Sequence, residues 1–178
     1  ENFVFKIIGI KFNKINGGSF SLTVAKLESS FPETPSLKKF LLDEKSKGLD
    51  TRGPYDEFRN KVFEFKIQIR ELLDKIHDNK EVVLGYGAST KGNVILQFCG
   101  ITSKDIPYIA EVNTDKFGCY TPGTLIPIIS EQEARKMNPD YFFVLPWHFK
   151  EFILKKEKTK PNNKTALFFP LPSIETYR

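Results

Sequence analysis

The sequence predicts an α/β fold, a Rossmann-like, mostly parallel sheet flanked by helices and preceded by an antiparallel β-hairpin and a long helix. Three observations carry this. From Val82 onward, short apolar runs alternate with helical patterns, the signature of a parallel sheet with crossover helices. The first of these runs enters a glycine-rich turn, Gly85-Tyr86-Gly87-Ala88-Ser89-Thr90-Lys91-Gly92-Asn93, that opens directly onto a helical pattern. Near the N-terminus, two runs rich in β-branched and aromatic residues flank Asn16-Gly17-Gly18, a strong hairpin signal.

Taken in order, Phe3 to Phe12 and Ser19 to Leu27 read as the two strands of the hairpin. Beyond Pro32 and Pro35, a short helical pattern runs through Leu37, Phe40 and Leu41 and stops at Gly48. Pro54 then opens a longer helix whose apolar residues Phe58, Val62, Phe65, Ile69, Leu72, Leu73 and Ile76 recur at helical spacing. The alternating part follows: strand Val82 to Gly85, helix from Lys91 to Cys99, strand Tyr108 to Val112, and a helix from Glu131 to Met137. Strand Tyr141 to Leu145, a helix from His148 to Lys156 and strand Thr165 to Phe168 complete it. The predicted divisions are a hairpin over 1–28, a helical connector over 29–79 and an α/β domain over 80–178.

Composition narrows the function classes. Two cysteines, Cys99 and Cys119, provide no disulfide framework and fit a reducing, cytoplasmic setting, with Cys99 expected as a buried thiol. No segment approaches the ~20 apolar residues of a membrane span, so no membrane partner is expected. The opening Glu1-Asn2-Phe3 lacks the basic and apolar parts of a signal peptide, and the missing initiating Met suggests a fragment. The net charge of +5 comes from lysines scattered over helical faces rather than gathered beside aromatic residues, so no nucleic acid is expected as partner. Two histidines and two cysteines at unrelated spacings make neither a zinc cluster nor a Ser-His-Asp arrangement. The expected sets of metal ligands and catalytic residues within this chain are therefore empty. His77 near the end of the long helix suits a C-terminal helix charge.

Ligands of such sheets bind beyond the carboxyl ends of the strands, where the strand order reverses. At the first of those ends, Gly85 and Gly87 remove side chains where a backbone would approach a ligand, and the following helix would point free N–H groups at an anion. Ser89, Thr90 and Lys91 add hydroxyls and a cation. The spacing departs from both familiar fingerprints. Thr90 stands where a dinucleotide site has its third glycine, and Asn93 where a nucleoside-triphosphate loop has lysine. The bland reading is an ordinary strand-to-helix turn with glycines for tight packing. Glu111, 24 positions beyond Gly87, suits a ribose hydroxyl ligand or a solvated strand-end carboxylate. Tyr120-Thr121-Pro122-Gly123-Thr124 has Pro122 and Gly123 at the centre of a type II turn, either a lid projecting Tyr120 and Thr124 over the site or an exposed turn. Trp147 would stack on a base or serve the core, and His148 would donate to phosphate.

Four segments together carry a family resemblance: Gly85 to Asn93, Asp115-Lys116-Phe117-Gly118-Cys119-Tyr120-Thr121-Pro122-Gly123-Thr124, Ile126-Pro127-Ile128, and Pro139 to His148. They resemble the C-terminal domain of S-adenosylmethionine-dependent sugar C-methyltransferases. Asn16-Gly17-Gly18-Ser19 is similar to the His-Gly-Gly-Ser turn of that family, with Asn16 in place of His. Phe117-Gly118-Cys119 also departs from the pattern. The resemblance implies a parent enzyme with an N-terminal zinc-binding region, a central methyl-donor-binding domain and a C-terminal α/β domain that helps hold a nucleotide-linked keto-deoxysugar. It further implies that a proton leaves the carbon beside the sugar's keto group and that the enolate attacks the sulfonium methyl. The hairpin would be the last antiparallel pair of the central domain, with Glu1 falling inside the parent's catalytic body. S-adenosylmethionine would bind mainly outside this chain, the acid-base residues would lie upstream of it, and the chain alone would be inactive.

The implied substrate-binding set is Gly85, Tyr86, Gly87, Ala88, Ser89, Thr90, Lys91, Gly92 and Asn93 around the diphosphate, joined by Glu111, Asp115 and Lys116. Tyr120, Pro122, Gly123, Thr124, Trp147 and His148 would close on nucleotide or sugar. Two rivals remain: a free-standing nicotinamide-dependent oxidoreductase, and a non-catalytic interaction module that uses the phenylalanine-rich hairpin as its interface.

Overall fold

The computed structural model describes residues 4–159 and 164–178; the expected strand start at Phe3 lies outside the described residues. The chain divides into two compact units, Glu1–Val62 and Phe63–Arg178.

In the first unit, β1 (Phe5–Asn13) pairs antiparallel with β2 (Ser19–Lys26), and the register shifts between Ile7 and Gly9. The connection is a 3-10 turn over Ile15–Gly17. Large apolar residues on both strands, Phe12, Phe20 and Val24 among them, stay exposed. Pro35 opens helix α1 (Pro35–Ser46), where fixed φ and a missing N–H cost nothing, and the Thr34 hydroxyl caps it by accepting from the Leu37 N–H. Helix α2 (Gly53–Asp78) starts one residue before the predicted proline, Pro54, and the division between the two units falls within it.

The second unit is built on β3 (Val83–Tyr86), α3 (Thr90–Cys99), β4 (Ile109–Glu111), β5 (Ile128–Ser130) and α4 (Glu131–Lys136). They are followed by β6 (Tyr141–Val144), α5 (Lys150–Lys158), β7 (Ala166–Phe169) and β8 (Glu175–Tyr177). The six strands lie in the order β5-β4-β3-β6-β7-β8, parallel throughout except for β8. Counted from β3, that is 3-2-1-4-5-6, the order of dinucleotide-binding folds, with its reversal at β3.

Alternating side chains serve two cores, because successive residues of a strand point to opposite faces. Val83, Ile109, Phe143 and Phe168 pack with Ile69, Leu73 and Ile76 of α2 and with Ile95, Leu96 and Cys99 of α3. Leu84, Tyr86, Ala110, Phe142 and Val144 pack with Ala134 of α4 and Ile153 of α5. Cys99 is the expected buried thiol, and burial pushes its pKa up to about 11. His77 is used structurally, Nε2 sitting 2.9 Å from the Asp105 carbonyl oxygen.

Two strands and one helix start differ from the sequence expectation. β5 and β8 are three residues each; Pro127 interrupts the apolar run that leads into β5. β8 is also polar, and the pair between Lys150 Nζ and Glu175 at 2.6 Å ties it to the start of α5. The helix expected from His148 begins as a 3-10 turn over Trp147–Phe149 and becomes α-helical at Lys150.

Candidate functional site

The carboxyl ends of β3, β4 and β6 meet where the strand order reverses. There Ser89 caps α3, its hydroxyl accepting from the Gly92 N–H at 3.0 Å. The glycine loop is tight for internal reasons. A Cβ on Gly85 would stand 2.2 Å from Cδ1 of Ile109, one on Gly87 2.8 Å from the Pro146 ring, and one on Gly92 2.5 Å from Cβ of Leu145. Gly87 also holds a φ of +82°, which favours glycine. An added Cβ at Gly85 or Gly87 would thus meet Ile109 or Pro146 rather than open space, an arrangement that suits tight packing of the turn.

The loop's N–H groups are also largely spent within the protein. Gly85 donates to the Tyr108 carbonyl, Gly87 to that of Ala110 and Ser89 to that of Gly87. The Ala88 N–H donates to Oε2 of Glu111 at 2.9 Å. Thr90 and Lys91 are exposed at the first turn of α3. Asn93 follows on the same turn, and its Oδ1 is buried without a hydrogen-bond partner among the described residues.

Glu111 ends β4 as a latch between two loops. Besides Ala88, it accepts from the Val112 N–H at 2.7 Å and the Asn113 N–H at 3.1 Å, while Lys116 Nζ reaches both the Ala88 carbonyl at 2.9 Å and Oε2 of Glu111 at 3.4 Å. Burial alone would raise the Glu111 pKa, but these N–H groups and the Lys116 ammonium outweigh it and hold the carboxyl below its ordinary value. The carboxylate is thus saturated by its own neighbourhood. Asp115 lies exposed on the following 3-10 turn.

Beside this latch opens a cleft of about 310 Å³. Gly87, Ala88, Ser89 and Glu111 form its loop side, Pro146 and Ile153 contribute apolar wall, and Val112, Phe149 and Phe152 also line it. At its floor stand Tyr86, Glu131 and Lys156. The Tyr86 hydroxyl lies 3.2 Å from both Glu131 Oε2 and Glu157 Oε1, and Lys156 Nζ donates to Tyr86 at 3.0 Å and to Glu131 at 2.7 Å. Arg135 closes the network with 2.8 Å bonds to Glu131 and Glu157. Two acids are matched by two bases around one phenol, so the charges balance beneath an otherwise apolar cleft.

The other expected residues gather elsewhere. Gly123 in the Tyr120–Thr124 turn has the positive φ expected there, +75°, and the Leu125 N–H donates to the Thr121 carbonyl at 2.9 Å, while Gln97 of α3 pins the turn by donating to the Pro122 carbonyl at 2.9 Å. The Thr124 hydroxyl faces that of Thr121 at 2.7 Å instead of projecting outward. Tyr120 is exposed, and none of Tyr120, Pro122, Gly123 or Thr124 lines the cleft. Trp147 packs against both cores, and its ring meets His148 edge-on. Burial and the Lys91 ammonium hold the His148 pKa below its ordinary value, and its Nδ1 is buried without a partner among the described residues.

Of the residues that line the cleft, Glu131, Phe149, Phe152 and Lys156 lie outside the expected set, and Val112 was expected only as a strand end. A signal for Phe149 and Phe152 existed. Together with Ile153 and Leu154 they put more apolar residues at the start of α5 than one core-facing stripe needs. The Tyr86–Glu131–Lys156 contact joins residues 45 and 70 positions apart and leaves no local pattern. Among the described residues no histidine, cysteine and acidic side chains gather as a metal-binding group, and no helix is long and apolar enough to cross a membrane.

The comparisons with known proteins agree with the motifs. The family described as "C-methyltransferase C-terminal domain" matches residues 14–172. C-methyltransferase NovU of Streptomyces niveus is 29% identical over 172 residues, which is 97% of this chain and 41% of that protein. The chain therefore spans less than half the length of the curated relative it matches. A match running from the hairpin turn to the loop before β8, on a sheet with this strand order, shows that the chain belongs to the C-methyltransferase C-terminal domain family.

Proposed function

We propose that this chain is the substrate-binding part of an S-adenosylmethionine-dependent C-methyltransferase and that it holds a nucleotide-linked keto-deoxysugar. The observation that carries this reading is the cleft at the strand-order reversal, bordered by the α3 N-terminus, in a chain of this family. A nucleotide-sugar has an anionic diphosphate and a flat apolar base, and the edge offers a place for each. The first turn of α3, with Thr90 and Lys91 exposed, suits the diphosphate. The cleft suits the less polar end of the ligand.

The hairpin of residues 1–28 completes the sheet of the methyl-donor-binding domain in this proposal, and residues 29–79 connect it to the α/β domain. Exposed Phe12, Phe20 and Val24 support that role, since a two-stranded ribbon with bare apolar faces gains stability from further strands. The methyl donor and the zinc-binding region belong to the rest of the parent, and no residue here is assigned to them. Proton abstraction and enolate stabilisation are likewise assigned to residues outside this chain, so its own part in the reaction is to bind and orient the sugar nucleotide.

Calorimetric titration with thymidine diphosphate, uridine diphosphate, S-adenosylmethionine and NADH tests the reading. Binding of a nucleoside diphosphate without binding of NADH is the expected result. NADH as the preferred ligand would instead favour an oxidoreductase, which the strand order by itself also accommodates.

A further inference from the structure

We infer that the outer edge of β2 is a pairing edge for a second copy of this chain, the two β2 strands joining antiparallel about a two-fold axis at Leu22. The inference goes beyond the nucleotide-sugar reading and does not depend on it. One edge of the hairpin is closed and the other is open. On the β1 side, the Thr34 N–H donates to the Ile8 carbonyl at 2.8 Å, and the Phe40 ring of α1 lies 5.0 Å from that of Phe12. Ile7 and Gly9 pair with the consecutive residues Val24 and Thr23, so Ile8 is an extra residue that bulges from β1. On the β2 side, no backbone group of residues 19–25 has a hydrogen bond other than to β1 among the described residues.

β2 also carries none of the features that keep an edge unpaired. It has no proline, and its charge begins only at Lys26, whereas β1 carries Lys6 and Lys11. Phe20, Leu22 and Val24 alternate onto one face and are 63%, 45% and 52% exposed. A largely apolar cavity of about 460 Å³ lies beside the strand, lined by the consecutive residues Thr23 to Lys26 and by Phe31. Consecutive residues point to opposite faces, so a cavity that touches all four follows the edge. The Ser29 hydroxyl oxygen in its wall is buried without a hydrogen-bond partner among the described residues.

The sequence of the strand fits itself. With Leu22 opposite Leu22 of the second copy, Phe20 faces Val24, Ser21 faces Thr23 and Ser19 faces Ala25, each pair occurring twice by symmetry. Apolar side chains therefore meet apolar ones on one face, small and hydroxyl side chains meet on the other, and no two charges stand opposite each other. The methyl-donor sheet of the proposed parent would reach the hairpin through the same open edge. In a solution of this chain alone, the strand always present is another β2.

The test is sedimentation equilibrium of the intact 178-residue chain over a range of concentrations, repeated on variants. The unaltered chain is expected to associate to dimers and no further, because an isologous contact closes at two copies. Leu22→Lys sets like charges opposite each other at the axis and is expected to weaken the dimer at least about tenfold. Leu42→Lys, on α1 and 69% exposed, is expected to leave the dimer unchanged. Phe20→Glu combined with Val24→Lys should recover the association that each loses singly, since the register sets the acid of one copy against the base of the other. All four side chains are exposed, so the variants should melt like the unaltered chain, which circular dichroism checks. A monomer at every concentration would overturn the inference, as would open-ended oligomers, equal loss in Leu22→Lys and Leu42→Lys, or a double variant that stays monomeric. Nucleotide titration bears only on the cleft, so either reading can fail alone.

Discussion

The glycine turn after β3 and the cleft next to it share residues 87–89, yet they treat their surroundings in opposite ways. In the turn, backbone N–H groups bond to carbonyls, to Ser89 and to Glu111, and side chains from β4 and the end of β6 fill the space that the glycines leave. In the cleft, Val112, Phe149 and Phe152 leave apolar surface facing solvent, and the acids and bases of the floor are paired among themselves. The turn is a structural joint and the cleft is an exposed, largely apolar surface. Glycines at a strand-to-helix turn report how closely two backbones approach, and the approaching group is often the protein itself. Apolar side chains that a core does not need say more about where a ligand goes.

The largest effect expected from this contrast is on stability, at Gly92. Alanine improves helix propensity by about 1 kcal/mol over glycine, which by itself would stabilise α3. A Cβ there would meet Cβ of Leu145 at 2.5 Å, and that atom moves only with its backbone. Gly92→Ala is therefore expected to lose about 1–3 kcal/mol by overpacking, read as a lower urea midpoint at unchanged slope. A variant as stable as the parent chain would show that the joint is looser than described.

A smaller effect belongs to the latch. Because the folded-state pKa of Glu111 lies below its unfolded value, its contribution to stability is complete above the unfolded carboxyl pKa of about 4.3. That contribution is lost as pH falls through the lower folded value. Glu111→Gln should cost about 1–2 kcal/mol at neutral pH, the scale of charged hydrogen bonds, and should flatten the acid side of the stability profile. Denaturation series across the acid range check it, and parallel profiles for parent and variant would remove Glu111 from the latch.

Legibility in the sequence followed the same divide. Long, strongly periodic elements were readable, as the start of α2 near Pro54 and the hairpin around Asn16-Gly17-Gly18 show. The position of the glycine loop was readable as well, because a buried strand leading into Ser89 and a helix is a local pattern. Its use was not, since whether Ile109, Pro146 and Leu145 or a ligand fills the gaps depends on strands far along the chain. The three-residue β4 lay inside a longer apolar run and was read, whereas Pro127 broke the run into β5 and the polar β8 had no apolar run at all. The type II turn at Pro122-Gly123 could be read from its residues, but its attachment to Gln97 is a tertiary contact. The floor of the cleft was hidden for the same reason, with Tyr86, Glu131 and Lys156 meeting only through the sheet order.

The most direct measurement is amide NMR of the chain titrated with uridine diphosphate, followed residue by residue. The account predicts the largest shifts at Ala88, Ser89, Thr90 and Lys91 for the phosphates and at Val112, Phe149 and Phe152 for the base, with Tyr120 to Thr124 unmoved. Shifts centred on Tyr120 to Thr124, with the cleft silent, would contradict it.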